Sequence, residues 1–325
     1  MPFVHMYKRH FLFLTIINFT LMSFEVTILG CGSATPTSHR NPSAQVVQVQ
    51  DRSILIDCGE GTQVQIRKNK IRMQKINHIL ISHLHGDHYF GLIGLLSTFH
   101  LLGRDKDLHI YAPEDLKDII YGQLKASKTY LKYTIHFKSL NFSGKNLIFE
   151  DKKIEIYSFP MRHSIEVCGF LIQEKTHPRK INRKAIDAFE VPTYQINSIK
   201  EGANFGTDDG REVLNSKLTF EPNPSFSYGY CSDTSYYPEL CHSIKKCTVL
   251  YHEATFGNEL EKLAKQTKHS TAKQAAMIAE QAEVGQLVIG HYSARYTDLS
   301  VLLTEAREVF ENTILAKDGL RIILE

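Results

Sequence analysis

Cysteine pairs are missing from this chain. Its six cysteines (Cys31, Cys58, Cys168, Cys231, Cys241 and Cys247) form no CxxC pair and no tight framework. That excludes a disulfide-stapled scaffold and a cysteine-built metal knuckle. A chain of 325 residues is long enough to build its core without cross-links, so the thiols read as reduced and the compartment as cytoplasmic. Charge of one sign is scarce too. A net charge of +3 does not by itself imply a nucleic-acid partner, so the placement of the charges must decide. Short repeats and low-complexity tracts are absent, and no apolar run is long enough to span a bilayer with ease. One run comes near. In "YKRHFLFLTIINFTLM", Lys8, Arg9 and His10 precede about a dozen mostly apolar residues, as in a signal peptide. No small-residue cleavage site follows, and "SFEVTILG" begins at once as a strand. The expectation is that residues 1–21 are an N-terminal extension, that Met22 starts the functional protein, and that no membrane is involved.

From residue 24 onward, short β-branched runs alternate with amphipathic stretches. Strands are expected at "FEVTILG", "QVVQVQ", "SILIDCG", "HILISH", "LHIYAP", "KIEIYSF", "CGFLIQ", "SFSYGYCSD", "CTVLYHE", "QLVIGHY" and "LRIILE". Helices fit around 61–70, 90–101, 114–123, 258–266, 271–283 and 299–311. Hairpin and crossover spacings both occur, which predicts one α/β domain over 22–325 with two mixed sheets packed face to face and covered by helices. Residues 173–222 break the rhythm, being mostly polar with few strand signals. Connections this long in compact domains are functional or disordered.

The histidines are concentrated where chemistry is wanted. "SHLHGDH" (82–88) follows an apolar strand and presents His83, His85, Asp87 and His88. Imidazole suits Zn²⁺, a carboxylate neutralises charge, and Gly86 lets the loop turn tightly. Two metals need more ligands than one loop holds. His163 lies between two strand-like runs, while Asp233 and His291 each end an apolar strand, as the first cluster does. That shared placement points to one metal site at one edge of the sheets, with Asp233 able to bridge two cations.

Eight segments then carry a resemblance: "LGCGSATPTSHRNPSA" (29–44), "DCGEGTQ" (57–63), "SHLHGDH", "MRHS" (161–164), "SDT" (232–234), "HEAT" (252–255), "HST" (269–271) and "GHYSARY" (290–296). In this order they resemble the ribonuclease Z family, the tRNA 3′-processing endonucleases of the metallo-β-lactamase superfamily. The His-x-His-x-Asp-His pattern alone marks the superfamily; "HEAT", "HST", "RNPSA" and "DCGEGTQ" narrow it. The resemblance implies an αββα sandwich, a homodimer, and two Zn²⁺ per subunit. One zinc would take His83, His85 and His163, the other Asp87, His88 and His291, with Asp233 bridging. It also implies a flexible arm, at 173–222 here, that grips precursor tRNA; the family's Gly-Pro arm tip is missing from "VPTYQINSIKEG".

Two divalent cations about 3.5–4 Å apart can clamp the attacking and leaving oxygens of a phosphodiester, which implies a 3′-hydroxyl on the tRNA and a 5′-phosphate on the trailer. Asp87 is the expected base. His269 stands just before a helix whose Thr271 and Gln274 are spaced as a capping box, and is the expected proton donor, with Glu253 orienting it. His252 is expected to be structural. Arg40 and Asn41 can line the substrate cleft or hold a turn. Arg67 and Lys68 in "IRKNKIRMQK", and Arg179, Lys180, Arg183 and Lys184 in "KTHPRKINRK", are candidate RNA contacts. The competing reading is a phosphodiesterase, sulfatase or lactonase of the same fold acting on small molecules.

Overall fold

The computed structural model describes residues 24–325; the expected extension 1–21 and the Met22 start lie outside them. The chain opens as a meander, β1 (Phe24–Gly30), β2 (Ala44–Val49) and β3 (Arg52–Ile56), and then becomes a parallel crossover fold. Helix α1 (Thr62–Lys68) leads to β4 (Ile76–Leu80). The one-turn α2 (Gly86–Tyr89) and α3 (Leu92–Leu101) lead to β5 (Leu108–Ala112), and α4 (Asp115–Ala126) to β6 (Ile135–Ser139). A second meander follows: β7 (Asn146–Glu150), β8 (Ile154–Pro160) and β9 (Cys168–Glu174).

The expected arm departs from β9 and is less bare than its polarity suggests. It holds β10 (Lys180–Ile181), α5 (Arg183–Ala188), α6 (Ile196–Lys200), β11 (Phe205–Gly206), β12 (Glu212–Val213), α7 (Asn215–Leu218) and β13 (Thr219–Phe220). β10 pairs with β13 and β11 with β12. Ile186, Val191, Ile199, Phe205, Val213 and Leu218 bury themselves in a core of its own. These residues are spread one per short element, so no window of the sequence shows a helix or strand period.

The chain then forms β14 (Ser227–Cys231), β15 (Val249–Glu253), α8 (Glu261–Thr267), α9 (Ala272–Gln281), β16 (Gln286–Gly290), α10 (Ser300–Arg307), β17 (Thr313–Leu315) and β18 (Arg321–Leu324). One sheet has the order β18-β1-β2-β3-β4-β5-β6 and the other β17-β16-β15-β14-β9-β8-β7. Strands β3 to β6 run parallel in the first, and β14 to β17 in the second.

Three strands beyond the expected set, β6, β7 and β17, are three of the four edges of these sheets; the fourth, β18, is the expected "LRIILE". Edge strands bury little and carry polar residues, so "IHFKS" and "NLIFE" lack the apolar run that marks a central strand. Between the sheets lie Val26, Ile28, Ile54, Phe159, Phe170, Tyr228, Tyr230 and Tyr251. The outer face of the first sheet packs Leu29, Leu55, Ile79 and Ile110 against Leu95, Leu96 and Phe99 of α3. On the far side the alanine stripe of α9 (Ala272, Ala275, Ala276, Ala279) is fully buried on the second sheet. The result is an αββα sandwich. Among the described residues no helix is long and apolar enough to cross a membrane.

Candidate metal centre

The C-terminal ends of β4, β14 and β16 open onto one edge of the sandwich, as parallel strands do when they build a site. β4 delivers Ser82 and His83, then His85 caps α2, whose single turn carries Asp87 and His88. Close packing lets this loop sit against the turn after β3. A Cβ on Gly59 would fall 2.3 Å from the Asp87 carbonyl oxygen, so only glycine fits there. Three residues turn sharply at strand ends with positive φ: Asp57 after β3 (φ 55°), Asp233 after β14 (52°) and His291 after β16 (56°). Asp and His tolerate that region better than most side chains, and such strain collects at functional sites.

The loops bring all seven expected ligands together. Ligand atoms of His83, His85, His163 and Asp233 lie within 4.8 Å of one another, as do those of Asp87, His88 and His291. Asp233 stands between the two groups. Its Oδ2 is 3.7 Å from His83 Nε2 and 3.8 Å from His163 Nε2, while its Oδ1 is 3.1 Å from His88 Nε2 and 3.0 Å from His291 Nε2. Asp87 Oδ2 is 3.4 and 3.5 Å from the same two nitrogens and accepts a hydrogen bond from the Ala34 amide at 2.9 Å.

The donor set fits divalent cations on an observation independent of the motif. Nε2 of His88 and Nε2 of His291 are sealed from solvent and make no hydrogen bond. Buried polar atoms seldom go unmatched, and a ligated ion matches both. The outer nitrogens are held in the tautomer this needs. His88 Nδ1 donates to Asp57 at 2.7 Å and His163 Nδ1 to the Lys268 carbonyl at 2.9 Å. Two hydroxyls relay the same demand. His83 Nδ1 meets Ser82 Oγ at 3.0 Å, which donates to Asp57 at 2.9 Å. His291 Nδ1 meets Thr255 Oγ1 at 3.0 Å, which donates to Glu253 at 2.6 Å. Such outer partners fix ring orientation and raise ligand basicity.

Sequence reasoning missed Asp57, Ser82, Thr255 and Lys268. Asp57 is buried and also accepts from the Ser82 amide at 2.8 Å and Tyr230 Oη at 2.7 Å. The available signal was an acid ending an apolar strand, the same signal that singled out Asp233. Lys268 acts through its backbone, for which a side-chain motif gives no cue. Its left-handed conformation (φ 56°) ends α8, and its Nζ also donates to the His163 carbonyl at 3.0 Å.

His269 follows directly. Its Nδ1 donates to Glu253 Oε1 at 2.8 Å, its ring stacks on His291 at 5.6 Å, and it lies 5.0 Å from the His163 ring. Burial opposes charge on this ring, but the Glu253 carboxylate outweighs it and pushes His269 up to about 9. Glu253 is itself held low: burial favours its neutral form, and His269 overrides that. Thr271 and Gln274 form the expected capping box at the start of α9. His252 is buried, donates its Nδ1 to the Glu253 carbonyl at 2.8 Å, and belongs to neither ligand group.

The candidate RNA contacts are not gathered at this centre. Arg40 donates to the Tyr296 carbonyl and lies over the Tyr292 ring. Asn41 gives its backbone amide and Nδ2 to Asp318 at 2.8 and 2.7 Å. Both therefore tie the loop after β1 to the C-terminal part of the chain. Arg179 is engaged with Glu221 and Thr219, and Arg183 with Asp187. Lys180 and Lys184 are exposed on the arm; Arg67 and Lys68 are exposed in the last turn of α1.

Among known proteins, ribonuclease Z of Bacteroides thetaiotaomicron is 47% identical over 93% of this chain and 95% of its own length. Ribonuclease Z of Porphyromonas gingivalis is 44% identical over 94% of this chain and its own full length. The chain belongs to the ribonuclease Z family. Among solved structures, the short form of human tRNase Z matches with a TM-score of 0.67 and 27% identity, covering 92% of this chain and 98% of that one. A metallo-β-lactamase fold protein from Bacillus subtilis matches with a TM-score of 0.66 at 19% identity over 93% and 100%, a likeness of fold. The family model described as anti-Pycsar protein Apyc1 matches residues 24–177, which hold strands β1 to β9 and five of the seven ligand candidates. The "HEAT" and "HST" loops that carry Glu253, Thr255 and His269 lie beyond it.

Proposed function

We propose that this ribonuclease Z family member is a zinc-dependent endoribonuclease that removes the 3′ trailer from precursor tRNA, leaving a 3′-hydroxyl on the tRNA and a 5′-phosphate on the trailer. The position of Asp233, with one oxygen toward each group of ligand atoms, carries this reading: it is the arrangement two cations sharing one carboxylate require. His83, His85 and His163 would hold one Zn²⁺, Asp87, His88 and His291 the other, with Asp233 common to both. Bound there, two zinc ions would supply Lewis acidity, acidifying water and neutralising charge on the phosphate.

The chain's own groups do the rest. Asp87 accepts the proton of the attacking water on the oxygen that the Ala34 amide leaves free. His269, kept charged at neutral pH by Glu253, donates a proton to the leaving 3′-oxygen. Glu253 positions His269 through Oε1 and His291, by way of Thr255, through Oε2. Beside this site a cleft of about 890 Å³ runs past Met161, Arg162, His163, Tyr236 and His269 to three lysines of α8 and its end, Lys262, Lys265 and Lys268. Its cationic wall suits an RNA backbone.

Residues 22–325 form the nuclease domain in this reading, and the module within 173–222 is the tRNA-binding arm, which Lys180 and Lys184 serve as the least engaged of its proposed contacts. A homodimer is supported by the exposure of Val64 on α1, Phe90 after α2 and Leu101 at the end of α3, the last 81% exposed, since large apolar side chains left in solvent are often covered in an assembly. The six free cysteines fit the cytoplasm. The test is cleavage of a tRNA precursor bearing a 3′ trailer, with zinc, with chelator, and as Asp87→Ala. Metal-dependent cutting next to the discriminator base, lost in the variant, is the expected result. Hydrolysis of bis(p-nitrophenyl) phosphate without any cutting of the precursor would overturn the substrate assignment and leave a small-molecule phosphodiesterase.

A further inference from the structure

Four of the five imidazoles of the centre are backed alike, two in each group. The outer nitrogen of each reaches a carboxylate or carbonyl, directly or through a hydroxyl. His163 meets Lys268, and His83 meets Asp57 by way of Ser82. In the other group His88 meets Asp57, and His291 meets Glu253 by way of Thr255. An acceptor behind an imidazole strengthens it as a ligand. The carboxylate oxygens are treated unequally, and nothing in the proposed reaction uses the difference.

Asp233 Oδ1 stands toward His88 and His291 at 3.1 and 3.0 Å and accepts a hydrogen bond from Ser232 Oγ at 2.8 Å. A hydroxyl facing an ionised carboxylate can only donate. Oδ2, toward His83 and His163 at 3.7 and 3.8 Å, accepts no hydrogen bond among the described residues. The other carboxylate shows the same bias. Asp87 Oδ2 faces His88 and His291 and accepts the Ala34 amide at 2.9 Å. Both carboxylate oxygens on that side therefore take a donated hydrogen bond, and the one on the side of His83 and His163 takes none. Ser232 directly follows β14 and is fully buried, so water cannot replace its bond.

Such a bond acts on ion binding through the difference between the ion-free and ion-bound states. A free carboxylate is the more concentrated charge, so it gains more from a hydroxyl donor than a ligated one does. The Ser232 bond thus favours the ion-free state. Orientation works the other way, because the same bond also holds the carboxylate in place. That second effect is small here, since Asp233 is buried and its turn is fixed without Ser232. The Thr234 amide donates to Glu253 at 2.7 Å, and the Thr234 carbonyl accepts from Ser270 Oγ at 2.7 Å. The donor effect wins.

We propose that Ser232 is a positioning residue that makes Asp233 an unequal bridge. It weakens Oδ1 as a ligand and keeps the cation beside Asp87, His88 and His291 the looser, exchangeable one of the two. The inference rests on the reading of the donor set as two cation positions, and it is tested by binding. Ion-free full-length protein is titrated with Co²⁺ against a competing chelator, and the visible absorption of bound Co²⁺ follows each step. Wild type, Ser232→Ala, Ser232→Thr and Asp87→Ala are compared. The wild type is expected to take up two ions in two resolved steps, and Asp87→Ala to lose the weaker step. Ser232→Ala is expected to bind the weaker ion about three- to tenfold more tightly, with the tighter step unmoved. Ser232→Thr, which keeps the hydroxyl, stays near the wild type. Equal affinities in the wild type and Ser232→Ala overturn the inference. So does a weaker second step in Ser232→Ala, which would make Ser232 a support of the turn, and so does loss of the tighter step in Asp87→Ala. Uptake of fewer than two ions by the wild type overturns the two-cation reading and this inference with it. A folding defect cannot imitate the expected result, because a loosened site binds its ion less tightly.

Discussion

The two sheets contribute to the metal centre in different ways. The first supplies four of the seven ligand candidates from one loop, with His83, His85, Asp87 and His88 inside six residues after β4. The second supplies His163, Asp233 and His291 from three strand ends that are 58 or more positions apart in the chain. A contiguous set is specified by local geometry, one strand end and one helical turn. A dispersed set exists only when the whole second sheet is in register. The dispersed residues nevertheless hold the two groups together, because Asp233 is the one side chain with an oxygen toward each.

The change that breaks this relation most sharply is Asp233→Ala. If the contiguous loop sufficed, this variant would keep one metal. The expected outcome is loss of tightly bound zinc from both positions, read by elemental analysis after desalting, with precursor cleavage down by three or more orders of magnitude. Retention of one zinc per chain would show that the loop after β4 is self-sufficient.

Asp57→Asn comes next and tests how far the first loop depends on what lies beneath it. Asp57 accepts from the Ser82 amide, Ser82 Oγ, His88 Nδ1 and Tyr230 Oη, the last from the second sheet. An amide cannot accept four bonds as a carboxylate does, and its NH₂ would confront a donor. The zinc dissociation constant is expected to rise about 10- to 100-fold in chelator competition, the usual scale for an outer partner of a metal ligand. Unaltered affinity would reduce Asp57 to a packing residue.

A smaller effect separates the acid from the metal. His269 titrates near 9 because the Glu253 carboxylate overrides burial, so it is protonated at neutral pH and its donor form is lost as pH rises through that value. Glu253→Gln removes the cause, and the pKa falls. Precursor cleavage by the wild type is expected to hold until pH approaches 9. In the variant the alkaline decline starts lower, so the deficit widens from pH 6 to pH 8.5. A parallel loss at all pH values would mean that Glu253 serves only His291 through Thr255.

The same contrast explains what the sequence made legible. The eleven expected strands, ten central ones and the edge strand β18, and the six longer helices carry enough apolar periodicity to be found from pattern alone, and the contiguous ligand loop declares itself. His163, Asp233 and His291 were findable only because each ends an apolar strand, a signal shared with many structural residues. Edge strands β6, β7 and β17 were missed because exposure had removed their pattern. The arm's core was missed because each of its short elements supplies only one or two buried side chains. Arg40 and Asn41 look like substrate contacts in a motif, yet Tyr296 and Asp318 claim them, partners more than 250 residues away that no local reading can supply.

Away from the metal, the sheets also meet at their other margin, and there histidine is a liability. His78 on β4 stacks on His109 of β5 at 5.3 Å, His109 on His136 of β6 at 4.9 Å, and Phe149 of β7 covers His78 at 4.3 Å. Burial, then His109 and Lys138, and more weakly Arg52, depress His78 to about 4, with Asp151 opposing. The unfolded chain binds this proton near pH 6.5, so the native state has its full stability above that value and loses it as pH falls toward 4. The linkage amounts to about 2 kcal/mol between pH 7 and pH 5. His78→Phe keeps an aromatic ring against Phe149 and deletes the proton site. Its urea midpoint is expected to shift less than the wild type's over that pH range, with zinc content and precursor cleavage unchanged at pH 7. Equal acid sensitivity in both proteins would move the cause to the metal ligands, and the two margins of the sandwich would then share one pH-sensitive element where the structure gives them two.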